Sequence, residues 1–160
     1  MTGSTRRALL KGAFPAAAAL AMWRSAWAAE SLPHMTVTRD PACGCCGGWV
    51  EHVKAAGFSV DEIASDNVAP LKTKLGVPLE LSSCHTAEIG GYAIEGHVPA
   101  DAIKRLLAEK PQARGLAVGG MPTGSPGMEV PGAPPDTYDV VLFSADGQHV
   151  FARYRGAQAI

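Results

Sequence analysis

The 160-residue chain lacks the sequence signatures of the commonest enzyme classes. No Gly-rich phosphate loop precedes a Lys-Ser or Lys-Thr pair, no Gly-x-Ser-x-Gly nucleophile elbow is present, and no His-Glu-x-x-His helix occurs. Classical hydrolase and nucleotide chemistry therefore has little support. No run of Lys and Arg forms a basic helix or cluster, which argues against nucleic acid and anionic lipid as partners. The apolar stretch Gly12 to Trp23 is 12 residues long and stops at Arg24, whereas a membrane-spanning helix needs about 20. There is no internal repeat. What is present is an ordinary globular balance, 47% hydrophobic and 18% charged, in a length that fits one domain.

The N-terminal segment reads as an export signal rather than as part of the fold. Thr5-Arg6-Arg7-Ala8-Leu9-Leu10-Lys11 resembles the twin-arginine address, an uncharged stretch follows, and Ala26-Trp27-Ala28 offers a small-residue cleavage site. Removal of residues 1–28 is expected, leaving residues 29–160 as a single periplasmic domain without a membrane anchor. Without Arg6, Arg7, Lys11 and Arg24, 10 basic and 15 acidic groups remain, a formal charge of −5. Mild acidity is compatible with cationic ligands.

Periodicity and punctuation point to a mixed α/β fold. Met35-Thr36-Val37-Thr38 alternates as a strand, and a turn runs from Asp40 to Gly48. Trp49, Val53 and Ala56 then fall at i, i+4 and i+7, the stripe of a helix that Gly57 terminates. Phe58 to Ile63 reads as a second strand. Val68, Leu71 and Leu75 form the buried face of a short helix from near Asp66 to Gly76. This βαβ opening puts Cys43, Cys45 and Cys46 at a helix entrance. Ile89 to Ile94 is a third strand candidate, Ile103, Leu106 and Leu107 mark a helix before Lys110-Pro111, and Gly115 to Val118 is a short strand. Tyr138 to Phe143 and His149 to Tyr154, joined through Asp146-Gly147, form a C-terminal β-hairpin. Before it, Gly119 to Pro135 holds five Gly and five Pro in 17 residues, a loop that neither helix nor central strand can cross. A cover over a site and a plain connector are both open readings of it.

The chemistry is concentrated in four cysteines. Cys43-Gly44-Cys45-Cys46 places three thiols within four residues, and Cys84 adds a fourth beside His85 in Ser82-Ser83-Cys84-His85-Thr86. A helix N-terminus favours thiolate, because free backbone N–H groups and the helix dipole stabilise negative charge there. Three readings compete. Two structural disulfides suit an exported chain and allow three connectivities, but bridges among Cys43, Cys45 and Cys46 close very small rings, and a core of this size hardly needs staples. Thiol–disulfide exchange suits a cluster between a first strand and a helix, and Cys43 and Cys46 make a CxxC pair, with Cys45 as a competing partner inside it. A soft-metal site turns the crowding into an asset: Cu(I) prefers sulfur, accepts low coordination numbers, and neutralises packed thiolates that would otherwise repel. Tetrahedral zinc, with two to four residues between paired cysteines, fits the Cys45-Cys46 adjacency poorly.

The cysteines belong to a longer ordered pattern. Trp49, His52 and Gly57-Phe58 follow the cluster, then Ser83-Cys84-His85-Thr86-Ala87, Gly90-Gly91-Tyr92, Ile94-Glu95-Gly96-His97-Val98-Pro99, and Gly120-Met121-Pro122-Thr123-Gly124-Ser125-Pro126-Gly127-Met128-Glu129. In these motifs the chain resembles the CopG-like family of exported copper-resistance proteins, across almost all of residues 29–160. Gly119 departs from the family pattern, which has Pro there, a change that bears on loop stiffness more than on ligation. The resemblance implies a thioredoxin-like βαβ core with an added Gly/Pro-rich loop and a C-terminal hairpin. It implies that Cys43, Cys45, Cys46 and Cys84 together hold several copper ions as a Cu(I)–thiolate cluster, with cycling between copper oxidation states during detoxification. Other periplasmic copper-handling proteins are the partners it suggests, and metal binding is favoured over classical enzymatic activity.

Lesser candidates have competing roles. Met121 and Met128, in the Gly/Pro-rich loop, can supply thioethers to a soft metal or simply fill space. His85 adjoins Cys84 and can ligate a metal or hydrogen-bond to a ligand. His52 and His97 read as structural, His34 and His149 receive no role, and Glu95 and Glu129 can orient a neighbouring His or close a loop.

Overall fold

Residues Ser31–Ile160 are described by the computed structural model, and the export signal read in residues 1–28 lies outside them. The chain runs β1 (Met35–Arg39), α1 (Gly44–Ala55), β2 (Val60–Ala64), α2 (Ala69–Leu75), a 3₁₀ turn (Leu79–Leu81), β3 (His85–Ile89), β4 (Tyr92–Glu95), α3 (Ala100–Glu109), β5 (Gly115–Ala117), β6 (Thr137–Ser144), β7 (Gly147–Arg155) and β8 (Gln158–Ala159). One mixed sheet orders them β2-β1-β3-β4-β5-β6-β7-β8. The β1–β2 and β4–β5 pairs are parallel and the other neighbours antiparallel. Among the described residues no helix is long and apolar enough to cross a membrane.

Alternation along the strands sorts the core onto two faces. Met35, Val37, Ala87, Ile89, Ile94, Leu116, Val140 and Leu142 pack with Trp49, Val50 and Val53 of α1 and with Ile103 and Leu106 of α3. On the opposite face Ala93, Ala117 and Phe143 meet Leu75, Val77 and Leu81 from α2 and the segment after it. The sheet is thus covered on both sides by helical segments, and its central strands are buried on both faces, as such a layering requires.

Several boundaries differ from those expected from sequence. Helix α1 begins at Gly44, four residues before the anticipated end of the turn, so Cys45 and Cys46 lie in its first turn. The early start follows from a tight entry: the Asp40 carboxylate accepts the Ala42 N–H at 2.8 Å and the Asp40 carbonyl accepts the Cys43 N–H at 3.0 Å. Strand β2 starts at Val60 rather than Phe58, and α2 at Ala69 rather than near Asp66. Val68, Leu71 and Leu75 are only half-buried, because α2 covers the margin of the smaller apolar cluster. The single strand expected over Ile89 to Ile94 is two strands, β3 and β4, turned by Gly90 and Gly91 at φ of 56° and 86°. Two successive positive φ angles are what a tight two-residue hairpin demands and what glycine supplies. The C-terminal hairpin forms as read, with a short added strand, β8.

The Gly/Pro-rich loop is partly docked. Ser125 and Pro126 are buried, and hydrogen bonds from Ser125 N–H to the Pro122 carbonyl and from Met128 N–H to the Ser125 carbonyl close successive turns. Residues 129–135 are exposed. Docking rests on Gly127, at φ 84°, where an added Cβ would stand 2.5 Å from Trp49 N and 2.6 Å from the Cys45 carbonyl oxygen. Gly127→Ala is therefore expected to lift the loop off α1 and destabilise the domain by roughly 2–4 kcal/mol, measured by chemical denaturation. Unchanged stability would mean that the loop does not bear on the helix.

Candidate metal centre

Two chain segments bring sulfur to one point. Cys43 is the N-cap residue of α1, with extended backbone and no side-chain capping bond, and Cys45 and Cys46 follow within the first turn of the helix. Cys84 arrives on the segment between the 3₁₀ turn and β3. The four Sγ atoms all lie within 4.8 Å of one another. Cys45 Sγ is 3.4 Å from Cys43 Sγ and 3.9 Å from Cys84 Sγ. Cys46 is buried and the other three are half-buried.

Cys43 and Cys46 are joined as a disulfide, while Cys45 and Cys84 are free thiols. The ring-size argument against bridges within the cluster is corrected at this pair. An i, i+3 spacing at a helix start brings the two Cα atoms to 5.4 Å, inside the ordinary disulfide range of about 4.4–6.8 Å.

The Cys84 segment is fixed from behind. Glu95, fully buried on β4, accepts the Ser83 N–H at 2.6 Å and the Thr86 hydroxyl at 2.6 Å, and pairs with the ammonium of Lys72 from α2. Lys72 also donates to Thr86 Oγ1 at 2.9 Å, which closes the network. Ser83 Oγ donates to the Gly120 carbonyl at 2.6 Å, tying the same segment to the Gly/Pro-rich loop.

Two buried imidazoles flank the fourth sulfur, and Cys84, His85 and His97 form a second group of potential ligands. His85 Nδ1 is 3.4 Å and His97 Nε2 3.2 Å from Cys84 Sγ. His85 also lies against Trp49, with ring centroids 4.4 Å apart. His97, read from sequence as structural, proves adjacent to the thiol. The register explains why: Thr86 opposes Glu95 in the β3–β4 hairpin, and continuing it by two residues sets Cys84 opposite His97. Recognising Gly90-Gly91 as a turn would have exposed that pairing. His52 does keep a structural role, accepting the Ala100 N–H at 3.1 Å at the start of α3. Glu129 accepts the Gly127 N–H at 2.9 Å, closing the loop. Met121 is 55% exposed and Met128 half-buried, and among the described residues no hydrogen bond joins either thioether to the four cysteines.

Burial keeps this group of side chains neutral. It pushes the Cys84 thiol up to about 11, with Cys45 as a second cause. It pushes His85 down to about 3, helped by His97, and lowers His97 and His52 as well. His85 Nε2 is buried without a hydrogen-bond partner. The donor set, sulfur with imidazole nitrogen and no carboxylate in either group, is that of a soft or borderline cation, which would itself displace the thiol protons.

The comparisons agree with this chemistry. A family model described as a protein of unknown function, DUF411, matches residues 81–128. No curated protein matches the chain significantly. Two solved structures of the copper resistance protein CopG, forms 1 and 2, are each 43% identical with TM-scores of 0.72. The alignments cover 78% and 77% of this chain and 99% and 98% of those chains. The chain belongs to the CopG copper-resistance family. The family-model match spans the Cys84 segment, both flanking histidines and the docked half of the Gly/Pro-rich loop, leaving Cys43, Cys45 and Cys46 outside it. In this CopG-family chain the part common to the family model is therefore the side of the centre that faces α1.

His85 yields a pH prediction for the metal-free protein. Its folded pKa lies below the unfolded value, so its contribution is full above about pH 6.5 and is lost as pH falls from there towards 3. Between about pH 6.5 and 5, stability should fall with a slope approaching 1.4 kcal/mol per pH unit from this group alone, with His97 and His52 adding to the onset. Urea denaturation across that interval checks it. His85→Phe, which keeps a ring against Trp49, should flatten the slope, and an unaltered slope would contradict the assignment.

Proposed function

We propose that the protein binds several Cu(I) ions in a thiolate cluster formed by Cys43, Cys45, Cys46 and Cys84. In this reading it contributes to copper resistance in the periplasm, after twin-arginine export and loss of residues 1–28, and exchanges copper with other periplasmic copper-handling proteins. The convergence of four sulfurs from two chain segments within 4.8 Å carries the proposal. Thiolates sharing one metal at bonds of about 2.3 Å stand about 3.8 Å apart in tetrahedral geometry. Cys45 and Cys84 already stand at 3.9 Å, so little movement is needed to accept an ion. The copper-resistance function named for the two CopG structures supports copper as the ion among soft cations. The thioredoxin-like reading draws support from a parallel β1-α1-β2 unit joined to an antiparallel β3-β4-α3 unit in the order β2-β1-β3-β4, with the cysteines at the start of the first helix.

All four cysteines can ligate only after the Cys43–Cys46 bridge has accepted two electrons. That bridge favours a second reading, thiol–disulfide exchange, in which Cys45, 3.4 Å from Cys43 Sγ, is the resident competing thiol. The two roles can meet in copper redox cycling, since oxidation of two thiolates to a disulfide releases the two electrons that reduce two Cu(II) to Cu(I). Structural stapling is the weakest account, because a bridge between residues three apart constrains little chain.

In anaerobically reduced protein, Cys84→Ser and Cys45→Ser should lower copper per chain to a similar extent, because both remove a sulfur from one shared cluster. Normal loading of Cys84→Ser would contradict the cluster. Turnover of a model disulfide by metal-free protein, with no copper taken up, would favour exchange instead.

A further inference from the structure

Helix α1 grips the start of α3 through two side chains one turn apart. Trp49 Nε1 donates to the Val98 carbonyl at 2.8 Å, and His52 Nε2 accepts the Ala100 N–H at 3.1 Å. Helix α3 needs that acceptor, because its own N-cap residue, Pro99, makes no side-chain capping bond. A lone pair at Nε2 puts the ring proton on Nδ1 and requires a neutral imidazole. The groups around His52 pull both ways. Partial burial favours the neutral ring and lowers its pKa, whereas Glu129 of the Gly/Pro-rich loop and Asp101 of α3 favour the charged form. The remaining neighbours are paired or neutral. Lys54 is engaged by Glu51 and Glu62, Arg105 by Glu109, and burial keeps the Tyr138 and Tyr154 phenols protonated.

We propose that His52 is a pH-operated latch that joins α1 to α3 and to the Gly/Pro-rich loop. Neutral, it caps α3. Protonated, it has no lone pair for the Ala100 N–H, and the positive end of the α3 dipole repels the imidazolium. The ring then turns to the Glu129 carboxylate, which in the closed latch accepts the Gly127 N–H at 2.9 Å. Drawing Glu129 to His52 takes that acceptor from Gly127, the residue that rests against Trp49 N and the Cys45 carbonyl oxygen. Asp101 stays in the first turn of α3, where its charge suits the dipole. One protonation thus weakens two attachments to the same helix, the start of α3 and the docked part of the loop. Because the folded ring resists protonation, the latch is closed above about pH 6.5 and opens as pH falls below that value. None of the four cysteines takes part, so the latch operates whether the centre binds copper or exchanges disulfides.

The test is NMR of the ¹⁵N-labelled metal-free protein between about pH 7.5 and 5, following the imidazole nitrogens and the amide exchange of Ala100 and Gly127 in the same samples. At the upper end His52 should carry its proton on Nδ1. As it titrates, protection of both amides, corrected for intrinsic exchange, should fall about 10-fold, the loss of one hydrogen bond each. The midpoint should be that of the His52 ring and not of His85 or His97. In His52→Gln, whose side-chain carbonyl accepts at every pH, both amides should keep their protection throughout. Glu129→Gln changes an exposed residue and so spares the core; it should move the midpoint to lower pH, which keeps the proposal testable if His52→Gln misfolds. Steady protection of Ala100 while native His52 titrates would overturn the latch, as would the same loss in folded His52→Gln. Loss at Ala100 without Gly127, or an unmoved midpoint in Glu129→Gln, would overturn the transfer to Glu129.

Discussion

A carboxylate withdrawn from water, that of Glu95, holds the fourth sulfur of the centre in position. It is fully buried on β4 and grips the backbone N–H of Ser83, the residue before Cys84. An uncompensated charge there would be severely unfavourable, so the Lys72 ammonium and the Thr86 hydroxyl must come with it. This ties α2 on one face of the sheet to the segment that presents Cys84 towards α1 on the other. The sulfur cluster thus depends on both layers of the fold, although its four cysteines occupy only two short stretches of chain.

Crowding is the other constraint. Three thiols at the first turn of α1 and one from the facing segment cannot all ionise without a cation between them. Without one, burial and the neighbouring Cys45 keep Cys84 in its thiol form, and Cys43 and Cys46 relieve their own crowding by bridging. A thiolate-preferring ion and an oxidant therefore compete for the same sulfurs, which links metal binding to the redox state of the site.

The parts of this design carried by local chemistry were legible in the sequence. The Trp49–Val53 stripe gave α1, the Cys43–Cys46 motif placed thiols at its entrance, and Asp146-Gly147 gave the terminal hairpin. Long-range register was harder to read. Ile89 and Ile94 end an apolar run that looks like one strand, and only the paired positive φ angles at Gly90 and Gly91 divide it. Missing that turn hid the pairing that brings His97 to Cys84. Gly44, Gly47 and Gly48 made the start of α1 look like a turn, yet burial of Trp49 and Val50 outweighs their weak helix propensity. Composition suggested the Gly/Pro-rich loop as either a cover or a connector. It is in part each, docked through residues 125–127 and open through 129–135.

The most direct measurement is an anaerobic Cu(I) titration of the fully reduced native domain, alongside Zn(II), with bound metal per chain and free thiols counted in the same samples. The account predicts more than one copper per chain, protection of all four cysteines, and preference for copper over zinc. No copper bound, or copper bound with Cys84 still freely reactive, would contradict it.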